Sequence, residues 1–250
     1  MAYSSGIVGV RGHSFYAGAC SDQSSVVDLG AHLGQFSSTV ARLFGCKVYA
    51  VEALPSLYAK IPPIPGVRVL NYAIAGRNGT IQLLVGSNPE SNSIHKVSDG
   101  SCTGTVNVEA ITFEDFLKAQ AIDKIDLLKV DIEGAEVELF STVSDDTLSR
   151  IKQISVEFHD FLEKPGSPEY AQSIANVQAI TERLAGLGFS PIQFSIRDHT
   201  DVLFVNRKRC GVSLTRYLYW AYVLRYARAA VRFAKRAMTS ANEIAAENPA

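Results

Sequence analysis

Residues 26–52 constrain the fold more than any other stretch of the chain. They read Val26-Val27-Asp28-Leu29-Gly30-Ala31-His32-Leu33-Gly34-Gln35-Phe36, continue with apolar positions at Phe36, Val40 and Leu43, and end in Val48-Tyr49-Ala50-Val51-Glu52. An apolar run closing on an acid and two glycines, followed by apolar residues at helical spacing, predicts strand, tight turn and helix. The second apolar run completes a βαβ unit and leaves Glu52 at a strand tip, 18 residues beyond Gly34. A carboxylate in that place can accept hydrogen bonds from both hydroxyls of a ribose.

A glycine turn with a distant acid points to a nucleoside without saying which. Dinucleotide sites use a Gly-x-Gly-x-x-Gly loop so that a helix N-terminus can take a pyrophosphate. Here only Gly30 and Gly34 are present, and Asp28 stands at the mouth of the first strand. A carboxylate there is expected to repel pyrophosphate and attract an ammonium group, which favours S-adenosylmethionine over NAD. A ligand-free glycine turn, a non-catalytic nucleoside-binding protein and a nucleotide-binding oxidoreductase are the alternatives. The oxidoreductase is disfavoured by Asp28, by the missing third glycine and by the lack of a Tyr-x-x-x-Lys set in place.

Further strands are expected over residues 67–72, 125–130, 151–158, 189–195 and 202–206, and helices over 113–119, beyond Gly134 and over 170–184. Thr112 reads as the N-cap of the first of these helices. Five strands alternating with helices, then a closing pair, imply a mostly parallel sheet with an antiparallel edge strand. Asn78-Gly79 is expected to turn a hairpin into residues 80–85. The polar stretch 86–104 reads either as a substrate-binding or lid loop or as a plain solvated insertion. Four strand ends bring Asp28, Glu52, Asp131 and His159 to one edge, where open α/β sheets bind ligands. Lys129 and Glu133 are expected to pair with each other.

Charge divides the chain. Residues 1–206 hold 15 Lys or Arg and 23 Asp or Glu, whereas residues 207–250 hold nine and two. An acidic body argues against a nucleic-acid groove across the catalytic face. Residues 212–240 read as a basic amphipathic helix, with Arg225, Arg228, Arg232, Lys235 and Arg236 in one stripe and Trp220, Val223, Leu224 and Tyr226 opposite. Such a helix can lie on an anionic membrane surface, or dock on the acidic body or a second subunit. Cys20, Cys46, Cys102 and Cys210 show no metal-ligand spacing, and no secretion signal or spanning apolar run is visible. The expected setting is the cytoplasm, peripheral to the inner face of a membrane if the helix binds lipid.

Four segments carry a family resemblance: residues 27–34, residues 51–55, Asn71-Tyr72-Ala73, and Leu127-Leu128-Lys129-Val130-Asp131-Ile132-Glu133-Gly134-Ala135-Glu136. With Val156-Glu157-Phe158-His159 they make the chain similar to FkbM-family methyltransferases, within the class I S-adenosylmethionine-dependent enzymes, over residues 24–207. The Lys-x-Asp-x-Glu-Gly-x-Glu segment is the most specific part. His32 stands where the family usually has Asn, and Ala53 where it has Pro.

The resemblance implies a Rossmann-like α/β sheet of about seven strands with the last one reversed, flanked by an N-terminal segment at 1–23 and the helix at 212–240. It implies S-adenosylmethionine as cofactor and O-methylation of a hydroxyl on a sugar, glycan or natural product. Asp28 and the turn through Gly30, His32 and Gly34 would then hold the methionine end, Glu52 the ribose, and Ala73 would lie beside the adenine. A hydroxyl acceptor calls for a general base, with His159 and Asp131 as candidates. Asp131 can instead orient the substrate or the cofactor amine. No metal is assigned.

Overall fold

The computed structural model describes residues 6–86, 102–196 and 198–230. The chain opens with a hairpin, β1 (Ile7–Val10) and β2 (His13–Tyr16). Arg11 and Gly12 both take positive φ at its two-residue turn, the backbone that best follows the twist of paired strands. Then come β3 (Ser25–Leu29), α1 (Gln35–Phe44), β4 (Lys47–Val51), α2 (Pro55–Tyr58) and β5 (Val67–Leu70), the βαβ unit expected from the apolar periodicity and its continuation. Three strands follow, β6 (Ala73–Ile74), β7 (Gly79–Gly86) and β8 (Cys102–Ile111), and after them α3 (Phe113–Ala119), capped by Thr112 as expected. The second half comprises β9 (Leu127–Val130), α4 (Glu136–Thr142), α5 (Asp145–Ser149), β10 (Gln153–Val156), α6 (Pro168–Gly186), β11 (Phe189–Gln193), β12 (Val202–Asn206) and α7 (Leu214–Tyr219).

Seven strands form one sheet in the order β11-β12-β10-β9-β3-β4-β5, parallel except for β12. The reversed strand is the last in sequence, but it is not at the edge: β12 lies between β10 and β11. Two features explain the placement. Strand β12 is buried at all five residues, whereas β11 contains Pro191, which has no N–H to give and suits an edge.

Alternation sorts the sheet into two faces. Val27, Leu29, Leu128, Val130, Ile154 and Phe204 pack with α3, α4 and α6 in one core, and Val26, Leu127, Leu203 and Val205 pack with α1 and the N-terminal hairpin in the other. Residues 7–16, expected only as a leading segment, are thus part of the second core, with Phe15 fully buried. Register places Asp28 beside Lys129, and Lys129 beside Ser155, on that same face.

The expected hairpin at Asn78-Gly79 does not form. Strands β6 and β7 both pair with β8, from opposite sides. Asn78 instead accepts from the Thr112 amide at 2.8 Å and donates to Asp115 at 2.6 Å, tying down the start of α3. The loop expected over 86–104 falls largely outside the described residues, as do positions 231–240 of the expected C-terminal helix. Up to residue 230 that helix exists: α7 runs through a π-helical turn, Trp220–Leu224, into further helix. Its orientation differs from the expected stripe, since Arg228 faces the body, donating to Ile7 O at 2.7 Å and Ser14 Oγ at 3.0 Å.

Candidate active site

A cavity of about 380 Å³ opens at the C-terminal ends of β3, β4, β9 and β10. The turn after β3 forms one wall. Gly30, His32 and Gly34 all have positive φ, a region in which His, like Asn, is enriched among non-glycine residues. At Gly30 the constraint is also steric: a Cβ there would lie 1.7 Å from the Asp131 carbonyl oxygen. The turn therefore passes against the end of β9 with no room for a side chain.

Glu52 closes the next wall. Its two carboxylate oxygens accept from the amides of His32 at 2.7 Å and Leu54 at 2.8 Å, so each keeps a lone pair for a ligand hydroxyl. Burial raises its carboxyl above the ordinary range, and those two amides oppose the rise. Ala73, almost fully buried, lines the apolar part of the cavity with Leu33, Leu54 and Leu83. The His32 Nε2 on the same wall is buried without a hydrogen-bond partner. A carboxylate with free lone pairs, an apolar slot and one orphaned buried nitrogen fit a nucleoside cofactor, with Glu52, His32 and Ala73 as the residues that could hold it.

Asp28 is placed differently from the sequence-based expectation. It is fully buried and does not line the cavity. One oxygen accepts from Ser37 at 2.6 Å and the other lies 3.2 Å from Lys129 Nζ. Lys129 does not meet Glu133 as expected. It donates to the carbonyls of Gly30 at 2.6 Å and Leu29 at 3.3 Å, and also pairs with Asp131 at 3.3 Å. Burial alone would lower the Lys129 pKa, but the charges of Asp131 and Asp28 raise it above normal. Desolvation likewise pushes Asp131 up, and Lys129, then His13, outweigh it and hold the carboxyl well below the usual range.

The acidic side of the cavity holds Asp131, Glu133 and Glu157 with His13 and His159. Glu133 follows β9 with φ of 53°, in the left-handed region, and its carboxylate lies 3.3 Å from His159 Nε2. His159 Nδ1 lies 3.0 Å from Glu136. Burial opposes charge on this imidazole, but the bonds to Glu133 and Glu136 prevail and push its pKa up to about 11. The ring is an imidazolium at neutral pH. Glu157 has the opposite character: burial, then the nearby Asp131 charge, push its pKa up to about 7. Asp160, also at this strand end, turns away to His199 at 2.7 Å.

Two residues from the N-terminal hairpin were not anticipated. His13 Nε2 reaches Asp131 at 3.3 Å, its Nδ1 lies 3.4 Å from Ser155, and Arg11 lines the rim. The Arg11-Gly12 dipeptide carries a turn signal, but nothing in the sequence says over which strand the hairpin folds. Among the described residues, His13, Asp131 and Glu157, and also Asp131, Glu133 and His159, have ligand-type atoms within 4.8 Å of one another. Lys129 already occupies Asp131, and His159 is held between two glutamates.

A seven-stranded sheet with only its last strand reversed, and a cavity at the tips of its first two parallel strands, is the arrangement of a class I S-adenosylmethionine-dependent methyltransferase fold. Residues 28–191 match the methyltransferase FkbM domain, and the chain belongs to that family. It is 27% identical over 168 residues to "Methyltransferase sdnD" of Sordaria araneosa, a match covering 53% of this chain and 65% of that protein. Among solved structures it resembles precorrin-6y C5,15-methyltransferase of Geobacter metallireducens (13% identity, 74% of this chain and 79% of that one, TM-score 0.38). It also resembles Aeropyrum pernix fibrillarin with S-adenosyl-L-methionine bound (11%, 74% and 66%, TM-score 0.37).

Proposed function

We infer that this protein transfers a methyl group from S-adenosylmethionine to a hydroxyl oxygen of a sugar, glycan or other polyhydroxylated natural product. The observation that carries the reading is the division of one cavity into a nucleoside wall, Glu52 with His32 and Ala73, and an acidic wall, Asp131, Glu133 and Glu157. When bound, the cofactor supplies an electrophilic methyl group on a good leaving group, so the chain has mainly to align the acceptor and remove its proton.

Carboxylates are acceptor-only groups when ionised, and three of them on one wall suit an acceptor that presents several hydroxyl donors. The Phe161 ring, 44% exposed at the rim, offers an apolar face to the carbon side of such a molecule. Glu157 is the proposed general base. A carboxylate with a pKa of about 7 is part ionised at neutral pH and accepts a proton more readily than an ordinary glutamate. His159 holds its proton between Glu133 and Glu136, so its proposed role is to position those two groups. Asp131, fixed by Lys129 and His13, keeps a negative charge facing the acceptor or the cofactor ammonium.

Calorimetry with S-adenosylmethionine, S-adenosylhomocysteine and NAD tests the cofactor half. Transfer of labelled methyl to a panel of sugars, sugar nucleotides and phenols tests the acceptor half. Tight NAD binding without response to the other two, or label on nitrogen or carbon only, overturns the reading.

A further inference from the structure

The structure fixes the C-terminal helix to the body by one side and leaves the other side apolar. Trp220 is only 2% exposed and packs against Tyr16 with ring centroids 5.0 Å apart. Arg216 donates to Tyr16 Oη at 3.1 Å, and the Arg228 guanidinium lies 5.0 Å from the centre of the Phe194 ring. Tyr217, Ala221 and Leu224 join the same core. This docking uses up one face of the helix. The remaining face shows Leu214, Leu218, Tyr219, Tyr222, Val223 and Tyr226, each between 41% and 66% exposed.

That concentration is not the ordinary scatter of surface apolar residues. Among the described residues only Tyr58, Phe161 and Ile196 elsewhere are large, hydrophobic and exposed to this degree. A patch held on a docked helix is presented rigidly, and such patches mark interaction surfaces. Its chemistry is specific in two ways. Tyrosine combines an apolar ring with a polar tip, the combination favoured where hydrocarbon meets water. Residues 207–242 also carry nine Lys or Arg and no Asp or Glu, on a chain whose first 206 residues have a net charge of −8; Arg207, Arg216 and Arg228 are bonded to the body, and the segment stays basic without them.

These properties choose among occupants. A second copy meeting this face across a two-fold axis would set each residue against itself or its near neighbours. Arg225, beside the exposed Tyr226, and Lys208 and Arg209 at the helix approach would then face like charges, with no carboxylate in the segment to answer them. An anionic lipid surface answers both features: headgroup phosphates take the cations while the tyrosine rings and Leu218 and Val223 enter the interfacial zone. No helix among the described residues is long and apolar enough to cross a membrane, so the contact is peripheral.

We propose that the outward face of residues 214–226 binds the surface of an anionic lipid bilayer, holding the methyltransferase body against the membrane. The test is sedimentation of the 250-residue chain with vesicles of phosphatidylcholine alone and with about 30% phosphatidylglycerol, at low and high salt. The expected result is binding to the anionic vesicles that high salt weakens, and at least about a tenfold loss of affinity when Tyr219, Tyr222 and Tyr226 are all changed to Ser. Thermal unfolding and S-adenosylmethionine affinity of that variant serve as controls for the fold and stay unchanged. Equal binding to both vesicle types, no binding to either, or a variant that binds like the parent overturns the proposal. So does a stable dimer in light scattering that the triple variant converts to monomer, because the face would then belong to a second copy.

Discussion

The Lys129 ammonium lies 3.2 Å from the Asp28 carboxylate, on residues that are direct partners across adjacent parallel strands. The pair neutralises the acid that the sequence sets at the mouth of the first strand. In the proposed reading, discrimination against a diphosphate then rests on the carboxylates that face the cavity, Glu133 and Glu157, with Asp131 sharing the Lys129 ammonium at 3.3 Å. The cavity is acidic through Asp131, Glu133 and Glu157, and not through Asp28.

Removing the cation exposes how much rests on it. Lys129→Ala leaves Asp28 and Asp131 without their common partner, and a broken buried pair costs about 3–5 kcal/mol. Chemical denaturation followed by circular dichroism will show that loss. Lys129→Met, of similar length, is equally destabilising because the two negative charges remain. A loss below about 1 kcal/mol, the range of a surface pair, would mean that water reaches these carboxylates.

Glu52 holds two backbone amides, and in the proposed reading it also takes the ribose of the cofactor. Glu52→Ala is expected to raise the dissociation constant for S-adenosylmethionine at least about tenfold, by removing both ribose acceptors. It also lowers the melting temperature, because the amides of His32 and Leu54 lose their partner. Unchanged cofactor affinity in calorimetry would remove Glu52 from the ribose.

Turnover should follow the ionisation of Glu157. At saturating cofactor the rate rises with pH through an apparent pKa of about 7 and then levels. Glu157→Gln loses that limb and slows turnover by about 10²- to 10⁴-fold, the range of general-base catalysis, with little change in cofactor affinity. Persistence of the limb in the variant would assign the proton to another group.

The imidazolium at His159 makes an opposite mark on stability. Its folded pKa, about 11, lies above the ordinary value of 6.5. From pH 6.5 to 11 the folded state thus binds more protons than the unfolded one. Its contribution is complete below pH 6.5 and declines as pH rises toward 11, at up to about 1.4 kcal/mol per pH unit. Melting curves of His159→Gln at pH 6, 8 and 10 should lack this alkaline decline. A decline matching the parent would show that His159 carries no extra proton.

Much of the scaffold was legible because its signals are local. The run 26–29, the glycine turn and the apolar spacing of α1 sit within 20 residues, and the tip carboxylate Glu52 follows from the same unit. The Thr112 cap was likewise readable from three adjacent turn positions. Asn78-Gly79 misled because its side-chain partners, Thr112 and Asp115, lie more than 30 residues away. The Lys129 and Glu133 spacing suggested a pair, but Lys129 is in a strand and Glu133 follows it with a left-handed backbone, so helical neighbour rules do not apply.

The sequence by itself determined the seven strands of the main sheet, the glycine turn after β3, and the charged residues that end β9 and β10, but not the N-terminal hairpin or the strands β6 and β8. Only the tertiary structure decided which charges meet. It carried His13 to Asp131 across 118 positions, paired Lys129 with Asp28 through strand register, and enclosed His159 between two glutamates while leaving Glu157 facing the cavity. Local pattern governs backbone conformation, because the forces behind it act within a few residues. Protonation and pairing depend on burial and on neighbours brought from distant strands, and those exist only once the sheet has closed.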